Sequence, residues 1–143
     1  MSRSKRMEPV AHVANNRKQN AAKAMGERKQ ALDDQVTRLD ELNAYRSEYA
    51  QRFEDGGESM AGIGMRDYRL FLSRLNQAIE EQARRVEQAR TALEQSRGQF
   101  TASRVHHDAV NKVVDRLKAD ERRVEDRREQ AENDEFGQRR RDD

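Results

Sequence analysis

The side chains best suited to chemistry in this sequence are two adjacent histidines, His106 and His107, and two pairs of neighbouring acids. Adjacent residues on an α-helix point about 100° apart, so the two imidazoles make a poor pair of ligands for one metal ion. The acid pairs, Asp33–Asp34 and Glu80–Glu81, have the polar surroundings of a solvated helix face. We therefore predict no catalytic residue, no metal site and no cofactor, and a protein that is not an enzyme.

A glycine-rich segment is the next feature that could bind a ligand. Residues 54–64, EDGGESMAGIG, hold four of the seven glycines. A phosphate-binding loop needs a GK[ST] sequence after its glycines, and this segment lacks one. It therefore predicts a turn between two helices, in which Gly56 is placed to end the first helix in a left-handed conformation.

Arginine-rich runs near the C-terminus could bind a nucleic acid. They are Arg122–Arg123, Arg127–Arg128 and Arg139–Arg141, and eight acidic residues stand among them between positions 120 and 135. Phosphate binding requires an unopposed positive face, and here the acids nearly cancel the charge. We expect no nucleic-acid binding, and instead a charged helix that pairs with charges on a partner protein.

The composition restricts the fold to extended helices or disorder. Charged residues make up 39% of the 143 residues and hydrophobic ones 34%, which is too little apolar material for a compact globular core. The abundant Ala, Glu, Arg, Gln and Leu favour helix. The sequence contains no cysteine, no secretory signal and no apolar run of membrane-spanning length, so we expect a cytoplasmic protein.

Heptad spacing favours helices over disorder. Two interleaved series of mostly apolar residues recur every seven positions after the glycines, from Tyr68 and Leu72 onward, and a weaker pair of series precedes them. This is the seam of a left-handed coiled coil. We predict an all-α, antiparallel two-helix coiled-coil hairpin, with Ala14 and Ala21 roughly level with Ala89, Ser96 and Ser103. The predicted segments are a disordered start (1–8), a first helix (9–54), a turn (55–64), a second helix (65–132) and a charged flexible tail (133–143).

Aromatic residues are concentrated on either side of the glycine-rich segment. Beside the seam, a second set of residues at spacings of 4, 3 and 4 forms what we call the loop-proximal stripe: Arg38, Leu42, Tyr45 and Tyr49 on the first helix, and Phe71, Leu75, Ala78 and Gln82 on the second. Partly exposed aromatic residues are typical of a protein interface. Periodicity alone fits a second interpretation equally well, in which Tyr45 and Phe71 thicken the packing between the helices.

Three stretches, LNAYRSEYAQRF, RDYRLFLSRLNQAIEEQ and DERRVEDRREQAENDE, resemble the FliJ family of bacterial flagellar export proteins from about Val10 to Phe136. The resemblance implies an antiparallel two-helix coiled coil similar to the gamma-subunit stalk of rotary ATPases. It also implies three kinds of partner: the hexameric flagellar export ATPase, the cytoplasmic part of the membrane export gate, and export chaperones. The protein would then be peripheral at the cytoplasmic face of the inner membrane, held there through its partners.

The resemblance also assigns roles to residues. The surface that contacts the gate falls on Leu42, Tyr45, Tyr49, Phe71, Leu75 and Ala78, with Arg38 and Gln82 at flanking places. The ATPase ring receives the end that carries both termini, where Arg122, Arg123, Arg127 and Arg128 are candidate contacts. Two alternatives are a generic structural coiled coil that homodimerises through the second helix and a nucleic-acid-binding hairpin.

Overall fold

The computed structural model describes residues 2–56 and 64–142 of the chain, and within them it contains two α-helices and no strand. Helix α1 spans Arg3–Glu54 and helix α2 spans Met65–Asp142. The two helices pack against each other, which confirms the predicted all-α helical hairpin. Most of the predicted turn, residues 57–63, lies outside the described residues. Within the described ranges, neither helix has the length and apolar character needed to cross a membrane.

Both helices extend beyond the predicted bounds at the ends far from the glycines. Helix α1 begins at Arg3 rather than at residue 9, and Pro9 lies inside it. Its first turn is supported by Ser2, whose Oγ accepts a hydrogen bond from the backbone N–H of Lys5 at 3.3 Å. Helix α2 continues to Asp142 rather than ending at residue 132. Contacts at i,i+4 spacing, such as Arg139 with Glu135 at 3.5 Å, support this last segment.

Residues 22–98 form one compact unit, in which the second half of α1 packs against the first part of α2. The most buried side chains of this unit follow the predicted heptad positions of α2: Leu75, Gln82, Val86, Leu93 and Ser96. Helix α1 ends in the predicted manner, because Gly56 has a φ of 60° and its N–H donates to the carbonyl of Phe53 at 3.3 Å. A left-handed residue at this position suits glycine, which lacks a Cβ.

Residues 1–21 and 99–143 form the second compact unit. Its core consists of Ala14, Val110 and Val114, with Met7 and Ala11 packed against them. The predicted level of Ala14 beside Ser96 and Ser103 is therefore wrong, because Ala14 packs beside two valines instead. The register that brings these valines onto the small Ala14 side chain buries more apolar surface than a contact with serines would.

A polar contact pairs the first turn of α1 with α2 in this second unit. The backbone N–H of Ser4 donates to Glu121 Oε1 at 3.0 Å, and its hydroxyl donates to Oε2 at 2.6 Å. Ser4 is only 5% exposed. Because α1 begins at Arg3, the residues of α2 beyond Glu121 have no part of α1 opposite them, and residues 122–141 are all exposed.

Candidate protein-binding site

Five aromatic side chains from both helices form a connected cluster in the unit of residues 22–98. We call it the aromatic cluster, and it comprises Tyr45, Tyr49, Phe53, Tyr68 and Phe71. The rings of Phe53 and Tyr68 are stacked with centroids 3.8 Å apart, and those of Tyr49 and Phe71 lie 4.0 Å apart. The stacked pair of Tyr49 and Tyr68, at 5.8 Å, joins these two contacts. The cluster therefore links α1 to α2 through ring contacts beside the glycine-rich segment.

Tyr45 is the exposed member of the aromatic cluster. Its side chain is 48% exposed, whereas the other four rings are half-buried. Its centroid lies 6.4 Å from that of Tyr49 and 6.0 Å from that of Phe71, the latter in an edge-to-face arrangement. The ring thus rests on two others that belong to different helices. An exposed tyrosine held in place by packed neighbours loses little conformational entropy when a partner binds it.

The structure distributes the loop-proximal stripe over three environments. Arg38, Tyr45 and Ala78 are exposed, and Leu42, Tyr49 and Phe71 are half-buried. Leu75 and Gln82 are buried at 8% and 5% exposure, in the seam between the helices. Periodicity had placed these last two in both the seam and the stripe, and the structure assigns them to the seam. A partner that covers the stripe would therefore touch its exposed and half-buried members.

Gln82 is a polar residue within the seam, and its hydrogen bonds explain its burial. Its Nε2 donates to the backbone carbonyl of Gln35 at 2.9 Å and to the Oε1 of the same residue at 2.8 Å. Buried amide groups are stable only when they are hydrogen-bonded, and Gln35 supplies both acceptors. The heptad position of Gln82 was the signal in the sequence that it would face the other helix.

A second polar contact between the helices was not predicted. Arg46 Nη1 donates to the side-chain oxygen of Asn76 at 3.0 Å, and both side chains are exposed. Arg46 lies at the surface, where its guanidinium remains hydrated. Heptad spacing within one helix does not predict this pair, because the pair depends on how the two helices are aligned.

The residues with other predicted roles lie in the unit formed by residues 1–21 and 99–143. His107 is half-buried there and contacts Asp108 and Asn111, each at 3.2 Å, while His106 is exposed. The candidate ATPase contacts Arg122, Arg123, Arg127 and Arg128 are all exposed on α2, and Arg123 forms an ion pair with Asp120 at 3.5 Å. These arginines are hydrated and alternate with acids, a surface suited to pairing with charges of both signs.

Comparison with protein families gives one match. The family described as the flagellar FliJ protein matches residues 3–141, nearly the whole chain. No curated protein and no solved structure shows significant similarity to this sequence.

Proposed function

We propose a function that proceeds from one premise: the chain belongs to the FliJ family, and so acts in flagellar protein export. Within export, the proposed role is that of an adaptor without chemistry of its own. It connects the export ATPase ring to the cytoplasmic part of the membrane export gate, and it assists chaperones that deliver substrates. Its place would be at the cytoplasmic face of the inner membrane, where it is held by these partners.

The observation that carries this proposal is the exposed Tyr45 ring on its two supporting rings. Tyrosine is enriched among the residues that contribute most to binding energy at protein interfaces. Tyr45 presents a rigid apolar face with a polar hydroxyl, and Tyr49 and Phe71 fix its position from below. The exposed residues Arg38 and Ala78 belong to the same stripe, and they would form the rim of the contact with the gate.

The second proposed contact, with the ATPase ring, is made by the exposed end of α2. Arg122, Arg123, Arg127 and Arg128 have no α1 residues opposite them, so their side chains are available to a surrounding protein. Ion pairs between exposed side chains are individually weak, and they contribute more to orientation and association rate than to affinity. Weak ion pairs of this kind suit a helix end that associates with several similar subunits of the ring, one after another.

The test compares two exposed residues of the same unit, Tyr45 and Leu70. Leu70 is 51% exposed, close to the 48% of Tyr45, but it takes no part in the ring contacts. Binding of the purified cytoplasmic portion of the export gate is measured by titration calorimetry. We expect Tyr45→Ala to raise the Kd by about tenfold or more, and Leu70→Ala to leave it nearly unchanged.

Thermal unfolding followed by circular dichroism is the control for both variants. Each should change the free energy of unfolding by no more than about 1 kcal/mol, because about half of each residue is exposed. The assignment to the gate is contradicted if Tyr45→Ala binds as tightly as the natural protein. It is also contradicted if Leu70→Ala weakens binding by the same factor. The double variant at Tyr45 and Tyr49 is a less clean test, since Tyr49 packs directly on Phe71.

A further inference from the structure

The unit formed by residues 1–21 and 99–143 has an exposed apolar surface separate from the aromatic cluster. On α1, Val10 and Val13 are 43% and 48% exposed. They line an open groove of about 280 Å³ together with four other residues: Pro9, Ala14, Arg17 and His106. His106 belongs to α2, so the floor of the groove is shared by both helices. We call this surface the valine flank.

Helix α2 extends the valine flank along its own axis. Val113 is 44% exposed and stands seven positions after His106, which places the two residues on the same side of the helix. The residues between and before them on that side, Ala109 and Ala102, are small and exposed. Exposed apolar residues that lie singly need no explanation, but a continuous set on two adjoining helices is typical of a protein-binding surface.

The charges around the valine flank are mainly positive. Arg17 lines the groove itself, and Arg116 stands one turn beyond Val113 on the same side of α2. The nearest acid on this side, Asp120, is already engaged with Arg123 at 3.5 Å. The rim therefore complements a partner that carries carboxylates beside its apolar residues.

We propose that the valine flank binds an acidic amphipathic helix of a partner protein. Such a helix would place apolar residues at i, i+3, i+4 and i+7 on Pro9, Val10, Val13 and Val113, and its flanking acids beside Arg17 and Arg116. This inference uses residues outside the aromatic cluster, and it does not depend on the proposed contact with the gate.

Two other occupants fit the surface less well. A second copy of this chain would bring the same positive rim against itself in a symmetric contact, and like charges then oppose association. A lipid surface is usually bound by larger apolar side chains such as Trp, Phe and Leu, whereas this surface offers valine, proline and alanine. Both remain as outcomes of the test.

The experiment uses the full chain, labelled with ¹⁵N, and two synthetic helical peptides. Both peptides carry the same leucine face, and they differ only in having glutamate or lysine at the flanking positions. We expect the acidic peptide to bind at least about tenfold more tightly than the basic one, with amide shifts centred on Val10, Val13 and Val113. Val13→Ser and Arg17→Glu should each raise the Kd of the acidic peptide at least about fivefold.

Val124→Ser is the matched control. Val124 is on the same helix and is 57% exposed, but it lies beyond Glu121 and does not line the groove, so its replacement should leave the Kd unchanged. Equal binding of both peptides, or binding of neither, overturns the proposal. Dimerisation in sedimentation that Val13→Ser abolishes would identify a second copy as the occupant, and binding of phosphatidylglycerol vesicles through Val13 would identify a membrane. Either result also overturns it.

Discussion

The rings of Tyr49 on α1 and Phe71 on α2 lie 4.0 Å apart, centroid to centroid, and both support the exposed ring of Tyr45. In the proposed function, the aromatic cluster combines two roles that periodicity presented as alternatives. Its half-buried rings contact one another across the two helices, and its exposed ring would bind the partner. Replacing different members of the cluster should therefore separate stability from binding.

Phe71→Ala should lower both stability and affinity. Its ring contacts two tyrosines of α1, and losing a half-buried ring with its aromatic contacts should reduce the free energy of unfolding by about 1–2 kcal/mol. Tyr45 also loses one of its two supports, so the Kd for the gate should rise. Thermal unfolding and calorimetry measure these effects. The interpretation fails if Phe71→Ala weakens binding while the unfolding transition stays where it is, because Phe71 would then act only as a surface residue.

Variants of Gln82 test whether this residue of the loop-proximal stripe contributes to stability through its packing in the seam. Gln82→Ala should reduce the free energy of unfolding by about 1–2 kcal/mol, because it removes two hydrogen bonds and leaves a space in the seam. Gln82→Leu should cost less, since leucine refills the seam and Gln35, which is only half-buried, can turn towards water. Chemical denaturation measures both changes.

Gln77→Ala is the control for that pair, because Gln77 is an exposed glutamine on the same helix. Its unfolding free energy should change by no more than about 0.5 kcal/mol. Loss of gate binding by Gln82→Leu with full stability would contradict the packing role. It would place Gln82 in the contact surface after all, as the family resemblance implied.

Heptad spacing predicted which face of each helix is buried, but not how the helices are aligned. Leu75, Val86 and Leu93 occupy predicted seam positions and are buried, because a repeat of seven keeps one side of a helix towards its partner. Ala14 could not be aligned by the same reasoning. A seam with alanine and serine at several positions accepts more than one register at similar cost.

The candidate site was predictable to a similar extent. Spacing identified Tyr45 and Phe71 as residues beside the seam, and the structure shows one exposed and the other half-buried. Contacts that join distant parts of the chain left no local signal. The hydrogen bonds between Ser4 and Glu121 connect residues 117 positions apart, and periodicity within one helix contains no information about such a pair.

Two adjacent valines of α2 offer a test of the second unit. Val114 is 7% exposed and belongs to the core around Ala14, whereas its neighbour Val113 is 44% exposed. Val114→Ala should lower the free energy of unfolding by about 1–2.5 kcal/mol, from lost burial and the space left behind. Val113→Ala should change it by no more than about 0.5 kcal/mol, since alanine favours the helix and little surface is lost.

Chemical denaturation of the two variants, measured side by side, checks this difference. The pair also connects to the valine flank, because Val113→Ala should weaken binding of the acidic peptide without destabilising the protein. Equal losses of stability from both replacements would mean that α2 is rotated relative to its described orientation. The core around Ala14 and the valine flank would then both need to be reassigned.

The last prediction concerns pH and the contact between Ser4 and Glu121. Hydrogen bonds from the hydroxyl and backbone N–H of Ser4 hold the pKa of the Glu121 carboxyl below its ordinary 4.5, with help from Lys118. A carboxyl whose pKa is lower in the folded state stabilises the fold fully above the unfolded pKa, and this contribution is lost as pH falls through the folded pKa. The contact between the first turn of α1 and α2 should therefore weaken as pH falls below about 4.5 and through the lower folded pKa, and it should not change between pH 5 and 8. A ¹³C NMR titration of the Glu121 carboxyl measures its pKa directly, and the amide signal of Ser4 reports the loss of its contact with Glu121.

Ser4→Ala should move the pKa of Glu121 back towards 4.5, because it removes the hydroxyl donor at 2.6 Å. If Glu121 titrates at its ordinary value in the natural protein, this contact does not persist in solution, and α1 begins later than Arg3.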